Sequence, residues 1–164
     1  MCSAVYYALL DHYSANCFHS LGGLLPYHVR SNAIIQMKKE IEDIKDIKVF
    51  VDDFYTRVRG DELIGPIFME KISDWQPHLD KMYAFWNAAL FGVPGFRGNP
   101  FAKHAPLKIA RPHFERWLEL FYATIDERFE GVIADDAKKR AALMADMFLT
   151  RLQQLNGNND RVIF

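Results

Sequence analysis

The chain has 164 residues and a formal net charge of -1, and half of its residues are hydrophobic. That is enough apolar surface for one core in one domain. The near-neutral balance leaves no basic footprint for nucleic acid, and no apolar run approaches the roughly 20 residues of a membrane helix.

The two cysteines, Cys2 and Cys17, are too few for a disulfide framework or a cysteine zinc site, and a cysteine-free body suits a reducing cytoplasm. Residues 1–36 hold two charged side chains, Asp11 and Arg30, while every other Lys, Arg, Asp and Glu lies from Lys38 onward. A cleaved signal would need a basic start and a longer apolar middle, but Asp11 interrupts the run after Leu10 and no base precedes it. The expectation is an extension over 1–36, poorly ordered or a non-native start, ahead of a functional domain over 37–164 that begins at Met37.

Across residues 40–58, Ile44, Ile47, Val51, Phe54 and Val58 recur at threes and fours, the spacing of one buried helical face. Gly60, Gly65 and Pro66 in "RGDELIGPIF" break that pattern. Ser73 and Asp74 offer helix-start chemistry before a broad apolar stripe of Trp75, Leu79, Met82, Phe85, Trp86, Ala89 and Leu90, which Gly92 ends. Glycines and prolines then crowd residues 91–112, a run poor in regular structure. An irregular segment of about 20 residues inside a compact domain is either functional or evidence against the assignment. Helical spacing resumes after Pro112 with Phe114, Trp117, Leu118, Phe121 and Ile125. A last helix, from about Asp135, uses Ala141, Met144, Phe148, Leu152 and Leu155 and stops at "NGNND". With no strand-like alternation and no internal repeat, the fold class is all-α, built on four long helices.

Three histidines fall in the functional domain: His78, His104 and His113. His78 shares an otherwise apolar helical face with Met82 and Phe85, His104 lies in the irregular run, and His113 follows Pro112 at a helix start. The sequence has no paired-histidine zinc spacing, Walker loop, GxGxxG turn, inward carboxylate pair or nucleophile-elbow serine. What is left is a pocket-type constellation of two histidines among many aromatics. It would suit a flat apolar cofactor such as haem, whose iron needs only one protein nitrogen. The competing reading makes His78 a hydrogen-bonded core residue and the aromatics plain core.

Four blocks, "DFYTRVRGDELIGPIF", "WQPHLDKMYAFWNAALFG", "GNPFAKHAPL" and "FERWLELF", occur in that order, and together they resemble the group III truncated haemoglobins over residues 40–155. The resemblance implies a truncated globin, a two-over-two helical sandwich enclosing haem b. It implies that His104 is the axial ligand to the iron, and that the irregular run is what remains of a proximal helix. By the same motifs Tyr55, His78 and Trp117 face the bound ligand, and Phe68 packs on the haem ring. Met82 and Phe85, one and two turns after His78, line the apolar pocket. Lys103 and Arg111 flank the haem-binding loop, within the segment that would meet the haem propionates.

A phenol O–H and an indole N–H suit the partial negative charge that oxygen acquires on ferrous iron. The expected function is binding of oxygen or another diatomic ligand at a five-coordinate haem iron. The expected setting is cytoplasmic, as a monomer or weak dimer with no nucleic-acid or membrane partner. One alternative is a nitric oxide dioxygenase or peroxidase-like enzyme. It would need a separate reductase, because the chain has no flavin or nicotinamide motif. Another is a cofactor-free helical interaction module.

Overall fold

Asp43 starts the first helix by turning its carboxylate onto the N–H groups of Lys45 (2.7 Å) and Asp46 (3.3 Å). This helix, α1 (Ile44–Gly60), buries Ile47, Phe50, Val51, Phe54, Tyr55 and Val58. Ile44, counted into that face from its spacing, is 36% exposed, because it is the first helical residue and lies beyond the packed core. The computed structural model describes residues 37–159, with side chains to 156, so the expectations for 1–36 lie outside the described residues.

The break expected at "RGDELIGPIF" contains a short helix, α2 (Gly65–Lys71). Pro66 stands in its first turn, where a missing N–H costs nothing. A Cβ on Gly65 would come within 2.9 Å of the Val58 carbonyl, so glycine lets α2 start hard against the end of α1. The Asp61 carboxylate fixes this corner. It accepts from the N–H groups of Leu63 and Ile64, both at 3.0 Å, and from Arg116 Nε at 2.7 Å.

α3 (Trp75–Phe91) runs from an Asp74 cap to Gly92, which ends it at φ +67°, a left-handed conformation that glycine adopts freely. The irregular run holds one helical turn, α4 (Pro100–His104), capped by Asn99 on the Ala102 N–H at 3.3 Å. Pro106, just past its end, cannot supply the N–H that a longer helix would need. α5 (Arg111–Arg128) follows, with Pro112 in its first turn. α6 (Val132–Asn159) starts ahead of Asp135, and Leu155, counted into its core face, is 45% exposed. Its buried start is made by Ala134 and Ala137, residues too small to register in a count of large apolar positions.

The four long helices pack as two pairs, α1 with α3 and α5 with α6, joined mainly where α1 meets α5. Phe50 lies at the junction, edge-on to Trp86 (5.8 Å), Phe121 (5.9 Å) and Phe129 (6.4 Å). The described chain enters this core through backbone bonds from Lys39 to Arg128 and Glu130, and the Glu40 carboxylate accepts from the Ile133 N–H at 3.0 Å. No described helix is long and apolar enough to cross a membrane.

Candidate functional site

The four helices leave a cavity of about 720 Å³, within the ~300–1,000 Å³ range of cofactor pockets. Its walls are mostly apolar, and every residue expected at the site lines it: Tyr55, Phe68, His78, Met82, Phe85, His104 and Trp117. They come from α1, α2, α3, α4 and α5, so sequence-distant blocks converge on one space.

His104 is the last residue of α4 and half-buried. Its Nδ1 lies 2.7 Å from the Pro100 carbonyl one turn earlier. That contact requires Nδ1 to carry the proton, which leaves Nε2 as the nitrogen with a free lone pair. The ring rests against Phe148 of α6 at 4.9 Å. Phe148, Phe96, Phe114 and Ile109 also line the cavity and were not singled out from the sequence. Phe148 and Phe114 carried the signal in their helical spacing; Phe96 and Ile109 sit in the irregular run, where no period marks them.

Opposite, Tyr55 and His78 meet edge-to-face at 4.8 Å. Tyr55 is buried, and that burial pushes its hydroxyl pKa up, so the group stays a neutral O–H donor. Burial, helped by the charge of Lys81, lowers the His78 pKa and favours a neutral ring. His78 Nε2 is buried without a hydrogen-bond partner. A buried polar atom left without a protein partner in a cavity wall is one that a bound molecule could satisfy. Trp117 reaches the cavity while stacking on Phe121 at 5.4 Å and 7°, so it belongs to both core and site.

Lys103 lines the cavity mouth with Lys71, Lys81 and Arg97, whereas Arg111 is not on the wall. His113, expected at a helix start, accepts the Ala110 N–H on Nδ1 at 3.0 Å there and also lines the cavity.

A family model described as bacterial-like globin matches residues 40–152. The chain is 30% identical over 127 residues to the group 3 truncated haemoglobin ctb of Campylobacter jejuni, a match covering 74% of this chain and all of that protein. A crystal structure of a group III truncated haemoglobin from Campylobacter jejuni superposes with a TM-score of 0.65 at 31% identity, covering 71% of this chain and 95% of that one. The 2/2 haemoglobin of a Synechococcus species, solved in the cyanomet state with covalently attached haem, shares the fold at a TM-score of 0.57 and 17% identity, covering 67% and 92%.

The fold is the all-helical truncated 2/2 globin. The chain belongs to the group III truncated haemoglobins and is a haem globin. The alternative of a cofactor-free helical module is thereby set aside. The residues present fit such a group: a largely apolar cavity of suitable size, one imidazole with a free Nε2, and an orphaned polar nitrogen in the opposite wall.

Proposed function

We propose that this chain binds oxygen and other diatomic ligands at a haem b held by His104. The observation that carries the reading is the pair of histidines on one cavity, His104 with Nδ1 committed to Pro100 and His78 with Nε2 committed to nothing. Haem b, when bound, would supply an iron that takes a protein nitrogen and a small diatomic ligand.

His104 would hold the metal through Nε2, since the Pro100 carbonyl fixes its tautomer and makes the ring more electron-rich. Phe68, Met82 and Phe85 line the cavity and would pack against the bound group and exclude water. Lys103, on the cavity lining, would serve the carboxylates of the group. Tyr55 presents an O–H that burial keeps protonated, Trp117 an indole N–H, and His78 a ring nitrogen with unused hydrogen-bonding capacity. In an apolar space these donors stabilise a polar diatomic ligand more than they would in water. They favour retention over rapid release, and so ligand chemistry or sensing over bulk delivery.

The test is the visible absorption spectrum of the ferrous protein with and without carbon monoxide, run beside His104→Ala. An intense haem band that shifts with carbon monoxide, is lost or altered in the variant and returns with added imidazole is the expected result. A protein that stays colourless after addition of haemin would overturn the reading.

A further inference from the structure

The His78 ring has a buried nitrogen that no protein group satisfies. Its Nε2 is buried without a protein partner while the residue as a whole is only half-buried, so an outward rotation of the side chain would carry the ring toward solvent. An unpaired ring nitrogen favours that rotation. Something must oppose it, and two aromatic edges do: Tyr55 at 4.8 Å and Trp75 at 5.9 Å.

Tyr55 is a cavity residue, but Trp75 is not on the cavity wall. It is the first residue of α3, one turn before His78, and it also contacts Tyr55 at 5.9 Å. The Arg59 guanidinium lies over the Trp75 ring, 4.9 Å from its centroid. Arg59 is anchored in turn, its Nε donating to the Tyr55 carbonyl at 3.3 Å. The end of α1 thus reaches across to the start of α3 and presses on the one indole that touches both Tyr55 and His78.

We propose that Trp75, braced by Arg59, is a positioning residue that keeps the His78 imidazole turned into the cavity. The proposal rests on the haem-binding reading above. Trp75 touches no ligand; it acts by blocking the outward rotation of His78 and by holding the Tyr55 ring against it. The bound state of His78 is then set by a contact outside the pocket, and ligand entry past His78 depends on how firmly the indole is held.

The experiment is carbon monoxide binding to the ferrous protein, read by flash photolysis and by the C–O stretching band in the infrared. Trp75→Ala is expected to speed association roughly tenfold and to move the stretching band in the direction seen in His78→Leu. Trp75→Phe, which keeps an aromatic edge, is expected to restore both. In a His78→Leu background, Trp75→Ala is expected to add nothing, because the group it positions is gone. Arg59→Leu, at an exposed residue, is expected to give a smaller change in the same direction and covers the case in which Trp75→Ala does not fold. A lower melting temperature with unchanged rate and band would make Trp75 merely structural and overturn the proposal. So would effects that simply add to those of His78→Leu. The absence of a haem band in the unsubstituted protein would instead overturn the reading on which the proposal rests.

Discussion

His104 gives its Nδ1 to the Pro100 carbonyl, whereas His113 uses the same atom to accept the Ala110 N–H. The first arrangement frees a nitrogen for the cavity and the second spends one on starting α5. Sequence alone ranks neither, since both residues follow a proline-rich stretch; the blocks that resemble a known family select His104. Tyr55 brings an O–H donor to the cavity wall, because burial keeps the hydroxyl protonated. Tyr55→Phe keeps the ring and its packing on Phe54 (5.0 Å) and Phe68 (6.0 Å) while removing that donor. Its oxygen dissociation rate is expected to rise about tenfold or more, as for a lost hydrogen bond of ~1.5 kcal/mol, with the association rate little changed. Stopped-flow displacement of oxygen by carbon monoxide measures it, and an unchanged off-rate would remove Tyr55 from the ligand contact.

The short elements decide how the site is assembled. α2 carries Phe68 to the cavity, and its start is aimed by Asp61, whose carboxylate serves two backbone N–H groups and Arg116. Burial alone would raise the Asp61 pKa, but the Ile64 N–H, Arg116 and the Leu63 N–H outweigh it and hold the carboxyl below its ordinary value. The sign follows directly: a depressed native pKa gives stability that is present above the unfolded value of 3.8 and is lost as pH falls below it. Asp61→Ala is expected to cost about 1–2 kcal/mol at neutral pH and to flatten the acid limb of the stability profile, both read from urea unfolding. An unchanged acid limb would show that another carboxylate sets it. The apolar spacing made α1, α3 and α5 legible, and Asp74 and Gly92 marked the ends of α3. It could not show α2 or α4, because a turn of helix bounded by glycine and proline has too few residues to display a period. The early start of α6 was hidden for a different reason, since Ala134 and Ala137 bury little area individually.

At the scale of the molecule, the two helix pairs of the described residues are joined mainly through α1 and α5, and residues of both helices also line the cavity. α4 meets the rest largely through Phe101 and His104 on Phe148, at 5.5 and 4.9 Å. A group bound in that cavity would complete the packing around α4, while Trp86 and Trp117, which line it, also pack on Phe50 and Phe121 of the core. Removing haem by acid–ketone extraction is expected to lower the melting temperature, because a ligand that binds only the native state stabilises it by mass action. Hydrogen exchange is expected to lose protection first over residues 96–110 and last around Phe50 and Phe121. Uniform loss across the chain would mean that the haem side and the Phe50 core unfold together.

The sequence by itself determined an all-helical fold, the four long helices of the described residues, the absence of a basic nucleic-acid footprint and, through ordered motifs, the family. Those properties rest on local spacing and residue type, which a linear chain displays directly. Tertiary structure alone decided that Trp117 serves core and cavity together, that His78 Nε2 is left without a partner, and that Arg59 on one helix holds Trp75 on another. Each of these depends on which faces meet across helices distant in sequence, and no local period encodes that meeting.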